Sequence, residues 1–352
     1  MNAWESFKTG AWTETINVDD FINLNYTPYD GDESFLAGPT ERTNAVNDKV
    51  KALLVEERKA GGTLKVDASR IMRVNAFGPG YIDEEKDLIV GLQTDEPLKR
   101  GICPFGGIRM VREQVAEFGE KMPPEMDYMF QYVTTHNDGV FKAYSPEMKA
   151  ARHLGYITGL PDAYGRGRII GDYRRCALYG IDRLIEAKQA DHDEISSRPI
   201  MNDENIRLSE DVWNQIAALK EIKKMAAQYG YDISRPAEDV REAIQWTYFA
   251  YLAGIKEENG AAMSLGRTAS FIDIYAERDL ASGKYTEEQI QEFVDDFILK
   301  LRVARHLRTS EYNELFGGDP MWITESLGGV GSDGRHRVTK STYRYLNTLY
   351  NL

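Results

Sequence analysis

The feature that most constrains the fold is a set of long helical repeats separated by short apolar runs. Behind the capping-box pattern Thr286-Glu287-Glu288-Gln289, apolar residues recur at helical spacing from Ile290 to Leu301. Similar patterns predict helices over 208–226 and 240–255, and near 42–60, 107–120, 173–190 and 336–351. Short apolar runs predict strands at 88–92, 157–160 and 168–170. Because short apolar runs between helices are typical of strands buried on both faces, the sequence predicts an α/β fold.

The size and charge of the chain limit the classes of protein to which it can belong. Its 352 residues suit one large α/β domain or about two average domains, and no internal repeat or low-complexity linker divides them. A hydrophobic content of 42% with 11% aromatic residues favours a folded globular protein over a disordered one. The net charge of −13 disfavours a nucleic-acid partner, because phosphate binding needs a basic surface.

Targeting signals and cysteine use point to the cytoplasm. The N-terminal stretch MNAWESFKTGAWTETINVDD lacks the basic-then-apolar pattern of a signal peptide. The most apolar stretch, 243–255, is too short and too mixed to span a bilayer. The two cysteines, Cys103 and Cys176, are far apart, which indicates neither a disulfide framework nor a zinc site. We expect a cytoplasmic protein in a reducing compartment, with no membrane partner and no bound metal.

The densest polar cluster runs from Asp162 to Arg175 and holds four arginines and two aspartates in fourteen positions. Its glycines let the backbone approach a ligand closely, and a guanidinium is a planar fork that suits a carboxylate or phosphate. A small carboxylate substrate would fit such a site. The alternative, favoured by the residues alone, is a structural ion-pair cluster in which Asp162 and Asp172 neutralise the arginines. A dinucleotide loop is a poor match, because the glycine spacing differs from G-x-G-x-x-G.

Two further clusters combine small and aromatic residues. The stretch from Glu257 to Arg267 follows a predicted helix, and its run of small residues suits either a wall around a small ligand or a plain helix end and turn. The stretch from Phe316 to Trp322 flanks a Gly-Gly-Asp-Pro turn with aromatic side chains. These rings could line an apolar pocket or fill the edge of a core.

Other catalytic chemistries lack support in the sequence. The five histidines are scattered, and no His-Glu-x-x-His, G-x-S-x-G or P-loop occurs. Cys176 lies in a predicted helix and suits a core position. Cys103 precedes Pro104 in a predicted loop, but no neighbouring residue supplies a base to activate its thiol.

At these same stretches the chain resembles the pyruvate formate-lyase family of glycyl-radical enzymes. The resemblance runs from about residue 4 to the last residue, and matches of this length are far more specific than a short motif. The matching segments are NYTPY (25–29), GDESFLAG (31–38), IVGLQTDEPLKR (89–100), PFGGI (104–108), GLPDAYGRGRIIGDYRR (159–175), AAQYGYDIS (226–234), EAIQWTY (242–248), NGAAMS (259–264) and GDPMW (318–322).

The resemblance implies a fold and a reaction. The family fold is a ten-stranded α/β barrel of two five-stranded halves, and this chain would form the helix-rich N-terminal half. The family converts pyruvate and coenzyme A to acetyl-CoA and formate by a radical mechanism. That mechanism uses a glycyl radical made by a separate radical-SAM activating enzyme, and an adjacent pair of cysteines. The resemblance also implies a homodimer.

Site residues follow from the same resemblance. Arg168 matches the family arginine that binds the pyruvate carboxylate. Ala261, Phe316 and Trp322 match residues that line the substrate pocket. A region associated with coenzyme A matches at Phe141 and Arg152, although His153 stands where a lysine is expected.

The chain departs from the family pattern in its length and its cysteines. Family chains are about twice as long, and no Cys-Cys pair or radical-glycine segment occurs here. We therefore expect residues 1–352 to form the N-terminal portion of the family domain, with no catalytic residue and no activity alone. Two alternatives stay open. One is a formate-lyase that prefers 2-oxobutyrate, a difference of one methylene worth only ~1–3 kcal/mol. The other is a non-catalytic half that pairs with a complementary chain.

Overall fold

Helices dominate the computed structural model, which describes residues 3–103, 108–118, 121–132, 143–157, 170–258, 262–307 and 321–352, with the backbone alone at 108–110 and 130–132. Two short strands, β1 (Lys65–Ile71) and β2 (Lys99–Ile102), accompany them. The helices are α1 (Ala11–Glu14), α2 (Val18–Asn25), α3 (Glu41–Lys59), α4 (Ile108–Glu117), α5 (Pro124–Tyr132), α6 (Pro146–His153), α7 (Arg174–Ser196), α8 (Asp203–Gln228), α9 (Val240–Glu257), α10 (Ala269–Ala281), α11 (Glu287–Arg302) and α12 (Lys340–Asn351).

The helices predicted from apolar spacing are confirmed as α3, α4, α7, α8, α9, α11 and α12. The capping box before α11 forms as predicted: the Gln289 N–H donates to Thr286 Oγ1 at 3.3 Å, and the Thr286 N–H donates to Gln289 Oε1 at 3.0 Å. Helix α10 was not predicted. Nine of its 13 residues are buried, so its sequence lacks the alternation of apolar and polar faces that reveals a surface helix.

Helix α9 occupies the centre of the core. Fourteen of its 18 residues are buried, and α7, α8, α10 and α11 all contact it. The helix begins at Asp239, whose carboxylate accepts the Glu242 N–H at 2.9 Å. Because it is covered on all sides, its polar side chains must find partners within the protein.

The strand predicted at 88–92 is wrong, since this buried segment adopts no regular structure. Its backbone groups bond to helix side chains instead of a neighbouring strand. The Gln245 amide of α9 accepts the Val90 N–H at 2.7 Å and donates to the Val90 carbonyl at 2.9 Å. The Asp296 carboxylate of α11 accepts the Leu88 and Ile89 N–H groups. A short apolar run reveals burial, but it does not reveal which groups satisfy the backbone.

The two strands pair in parallel, with Lys65 opposite Lys99 and an irregularity after Asp67. They were not predicted, because both are short and rich in charged residues. Of the other predicted strands, 158–160 and 168–169 lie outside the described residues. Ile170 forms an isolated parallel bridge with Ser264.

Helix α7 is interrupted at Gly180, which has φ 71° and ψ 163°. The interruption admits the segment before α9: Ile181 N–H donates to the Ile233 carbonyl at 2.9 Å, and Ala237 N–H donates to the Ala177 carbonyl at 2.8 Å. A Cβ at position 180 would lie 2.4 Å from the Arg235 carbonyl carbon. Both the backbone angles and the close approach therefore require glycine.

We predict that Gly180→Ala destabilises the chain strongly. This backbone region costs a residue with a Cβ of order 1–3 kcal/mol, and the clash with residue 235 adds to that cost. Gly254→Ala is the matched control, because Gly254 lies inside α9 with open space around the added Cβ, so alanine should stabilise by up to about 1 kcal/mol. Urea unfolding measures both, and similar shifts of the midpoint in the two variants would contradict the expectation.

Candidate functional site

Three segments that adjoin the predicted substrate residues lie side by side. The first contains Ile170, the middle segment contains Ser264 to Gly266, and the third contains Thr324 and Glu325. Ile170 bridges Ser264 in parallel, and Gly266 bridges Glu325 in parallel. Leu265 N–H donates to the Thr324 carbonyl at 2.9 Å. These segments follow Arg168, Ala261 and Phe316 in the sequence. Bridged residues that are 94 and 59 positions apart in the chain thus converge on one place, and their pairing is parallel, as it is in a barrel wall.

Helix α9 supports the middle segment through a tyrosine pair. The buried Tyr251 hydroxyl donates to the Met263 carbonyl at 3.0 Å, and its ring meets the Tyr173 ring edge-on with centroids 5.3 Å apart. Burial raises the pKa of both phenols, so both stay protonated as donors. The wall of the site is therefore fixed to the most buried helix. Tyr251 was not singled out from the sequence, because it sits in an ordinary helical pattern, and Tyr173 was noted only as part of the cluster from Asp162 to Arg175.

The ion-pair interpretation of the arginine cluster holds for its C-terminal part. Asp172 accepts Arg174 Nε at 2.8 Å and Arg175 Nε at 3.4 Å. Arg174 also donates to the Arg267 carbonyl at 3.1 Å, which ties α7 to the middle segment. Asp162, Arg166 and Arg168 lie outside the described residues.

Glu325 joins the third segment to the start of α10. Its Oε1 accepts the Thr268 N–H at 2.5 Å and the Ala269 N–H at 3.0 Å, as well as the Thr268 hydroxyl at 3.1 Å. Its Oε2 is buried and has no hydrogen-bond partner in the described part of the chain. Desolvation by burial raises the pKa of this carboxyl from 4.5 to about 7, against the opposing effect of the two N–H groups.

The sequence model of one family, described as PFL-like: Pyruvate formate lyase-like, matches residues 10–352. The chain belongs to the pyruvate formate lyase-like family. The chain is also 52% identical over 354 aligned positions to the formate acetyltransferase of Haemophilus influenzae. That match covers 99% of this chain and 46% of the relative, so the chain spans about half the length of the relative that it matches.

Solved structures confirm the predicted fold of this pyruvate formate lyase-like chain. The glycerol-bound B12-independent glycerol dehydratase of Clostridium butyricum matches with a TM-score of 0.63 at 18% identity, over 91% of this chain and 47% of that one. A Roseburia inulinivorans structure concerned with 1,2-propanediol dehydration matches with a TM-score of 0.61 at 20% identity, over 91% and 46%. The chain has the helix-rich fold of part of a glycyl radical enzyme barrel.

The predicted site residues of this family member divide into two groups. Arg168, Ala261, Phe316 and Phe141 lie outside the described residues. Trp322 and Arg152 are described. Trp322 is 42% exposed and adopts φ 48°, which a bulky side chain rarely does. Arg152 lies in the last turn of α6, with its side chain partly buried.

Both cysteines of the chain are buried and neither forms a disulfide. Burial raises the pKa of the Cys176 thiol to about 12, so it stays protonated at neutral pH. Cys103 Sγ lies 3.8 Å from the Met72 sulfur in a small apolar cluster. These surroundings suit packing residues rather than nucleophiles, as expected from the sequence.

The described residues contain neither a metal-binding cluster nor a membrane-spanning helix. No group of three histidines, cysteines, aspartates or glutamates there has the arrangement of a metal site. None of the helices in the same part of the chain has the length and apolar character needed to cross a bilayer.

We predict that Glu325 makes stability fall as the pH rises. The folded state holds its proton up to about pH 7, whereas the unfolded chain releases it near 4.5, so this contribution is lost between those values. Glu325→Gln keeps an oxygen for the Thr268 and Ala269 N–H groups and cannot ionise. The urea midpoint of the variant, relative to that of the native chain, should therefore be higher at about pH 8 than at about pH 5.

The exposed Glu33 supplies the control, as Glu33→Gln. The urea midpoint of Glu33→Gln, relative to that of the native chain, should be the same at about pH 8 as at about pH 5. A Glu325→Gln effect that is independent of pH would mean that this carboxyl titrates as in the unfolded chain.

Proposed function

We propose that this chain is the substrate-binding part of a formate C-acetyltransferase, which converts pyruvate and coenzyme A to acetyl-CoA and formate. The observation that carries the proposal is 52% identity across 99% of the chain to the formate acetyltransferase of Haemophilus influenzae. The convergence of the three segments at Ile170, Ser264 and Glu325 supports it, since each adjoins a residue that we assign to pyruvate.

In this proposal Arg168 binds the pyruvate carboxylate. Arg168 stands two residues before Ile170, so the covalent chain keeps the two Cα atoms within about 7 Å. A guanidinium donates two parallel hydrogen bonds to a carboxylate, which fixes the orientation of the carbonyl carbon as well as the affinity. The nearby Asp172 is occupied by Arg174 and Arg175, and this pairing keeps it from competing for a third arginine.

Ala261, Phe316 and Trp322 line the apolar side of the proposed pocket. The backbone of Trp322 supports this role. A tryptophan at φ 48° costs of order 1–3 kcal/mol, and such strain is concentrated at functional sites. Its neighbour Met321 is buried at 1% exposure, while Trp322 itself is 42% exposed, so the strained backbone turns this ring out of the core. Ala261 stands three residues before Ser264 in the sequence.

We assign Phe141 and Arg152 to coenzyme A as co-substrate. An aromatic ring suits the adenine base, and a guanidinium suits a phosphate group. Arg152 lies near the protein surface at the end of α6. A large, charged co-substrate with a long flexible arm could bind there and reach a buried site with its thiol.

In this proposal the chain supplies residues that position the substrate, but not the cysteine pair that reacts with it in the family. It holds two cysteines, which are not adjacent in the sequence, and both are buried. The attacking thiol and the radical glycine must therefore come from residues that this sequence does not hold. We therefore also propose that the protein is activated by a radical-SAM enzyme, forms a homodimer and acts in the cytoplasm.

Pyruvate binding by Arg168 can be tested on the 352-residue chain itself, by NMR titration with carbon-13-labelled pyruvate. Arg168→Lys should weaken binding at least about tenfold, because lysine lacks the planar fork and a charged hydrogen bond is worth ~1.5–3 kcal/mol. Glycerol has no carboxylate and should not bind.

The control is Arg175→Lys, since the Arg175 side chain is 51% exposed and paired with Asp172. It should leave pyruvate binding unchanged. Equal affinities in the two variants, or tighter binding of glycerol than of pyruvate, would remove the case for a carboxylate site at Arg168.

We also predict that the chain alone does not turn over pyruvate, because neither buried thiol can attack a carbonyl group. The measurement is anaerobic incubation with the activating enzyme, S-adenosylmethionine, a reductant, pyruvate and coenzyme A, alongside the full-length Haemophilus influenzae enzyme. Only the latter should give acetyl-CoA and a glycyl-radical EPR signal. Acetyl-CoA from the chain that disappears with Cys103→Ser or Cys176→Ser would move catalysis to that thiol.

A further inference from the structure

A polar cleft, separate from the proposed pyruvate pocket, lies at the C-terminal end of the converging segments. Its volume is about 350 Å³, within the range of small-molecule sites. Helix α2, the start of α10 and the loop before α12 enclose it. Its lining residues are Asp19, Ile22, Arg174, Gly266, Arg267, Ser270, Ser326, Val330, Gly331, Ser332 and Arg337. Trp322, the described member of the proposed pyruvate pocket, is not among them.

Three buried donor groups of this cleft have no hydrogen-bond partner among the described residues. They are Nη1 of Arg337, Nε of Arg267 and Oγ of Ser270. Arg337 is 4% exposed and Ser270 is 2% exposed, so bulk water does not readily satisfy them. Buried donors without partners are rare in native proteins and costly, and two of these carry positive charge. That three of them line one cleft indicates a missing acceptor.

Two glycines leave the room that the guanidinium groups occupy. A Cβ at Gly329 would lie 2.9 Å from Arg267 Nη2, and a Cβ at Gly331 would lie 2.4 Å from Arg337 Nε. Gly329 also has φ 83°, a conformation that suits glycine. The loop before α12 therefore packs closely against both arginines, and a side chain at either glycine would require the guanidinium group to shift.

The charges around the cleft favour an anion. Its lining includes three arginines and one acidic residue, Asp19, which lies 3.6 Å from Arg337 Nη2. Arg174 is paired with Asp172 and Arg337 is partly paired with Asp19. Arg267 forms no salt bridge with a described carboxylate, so among the described residues its positive charge is unpaired. Ser270 lies in the first turn of α10, where the helix dipole adds further positive potential.

We infer that this cleft binds the oxyanion group, phosphate or carboxylate, of a small molecule, at a site separate from the proposed pyruvate pocket. Arg267 and Arg337 donate to the oxygens from one side, and the Ser270 hydroxyl donates from the start of α10. A tetrahedral phosphate offers an oxygen to each of the three donors, whereas a carboxylate has two oxygens for them. The volume leaves room for an organic group attached to the anion.

The inference can be tested by isothermal titration calorimetry of the 352-residue chain with inorganic phosphate and, separately, with acetate. Phosphate should bind, and Arg267→Gln should weaken it at least about tenfold, the effect of losing one charged hydrogen bond. Ser270→Ala should weaken it less. Acetate that binds more tightly than phosphate, with the same dependence on Arg267, would identify a carboxylate as the ligand group.

Three controls separate the cleft from other basic sites. Arg175→Gln removes the same charge from a paired, half-exposed position and should leave phosphate affinity unchanged. Arg168→Gln should also leave it unchanged, and pyruvate should not displace phosphate, so this result is independent of the proposed function. Circular dichroism shows that each variant is folded. No phosphate or acetate binding, or equal binding by the folded Arg267→Gln variant, would overturn the inference.

Discussion

The burial of α9 on every side is the constraint on which the rest of the structure depends. A helix in that position exposes no polar face to water, so its polar side chains must bond to protein groups. Gln245 bonds to both backbone groups of Val90, and Tyr251 bonds to the Met263 carbonyl. One helix thus holds the irregular segment at 88–92 on one side and the wall of the candidate site on another. The most buried helix of the fold therefore supports both segments.

Surface helices could be predicted from the sequence because their two faces differ in polarity. Helix α11 is the clearest case, with its apolar spacing and its capping box. Helix α10 was missed and 88–92 was mistaken for a strand for one shared reason. In a fully buried segment, apolar and polar residues do not alternate, so the sequence shows neither a helical nor a strand period. Only the hydrogen-bond partners of the backbone then distinguish a helix, a strand and an irregular segment.

Contiguous family motifs indicated the segments that converge at the candidate site, whereas contacts between distant residues could not be predicted. The resemblance pointed to the neighbourhoods of Arg168, Ala261 and Trp322. Nothing in the sequence around Glu325 indicates that it meets the Thr268 N–H, because 57 positions separate them. Likewise the cleft combines Arg267, the last residue of the stretch that begins at Glu257, with Arg337, which belongs to no motif. The overall charge of −13 even favoured the opposite expectation. Net charge acts at long range through water and is screened within about 10 Å, so a local group of arginines can still bind an anion.

The cleft also depends on a contact between distant parts of the chain. Asn23 of α2 bonds to Ser332, Arg335 and Arg337 in the loop before α12, across sequence separations of 309 to 314 residues. Asp19 of the same helix accepts the Ser332 hydroxyl and lies 3.6 Å from Arg337 Nη2. At ribosomal rates of ~5–20 residues per second, roughly 15 to 60 s pass between the synthesis of α2 and that of its partner loop. During that interval the aromatic side chains of the N-terminal helices have no complete core to cover them. A nascent chain of this protein would therefore be a substrate for chaperones until the loop before α12 emerges.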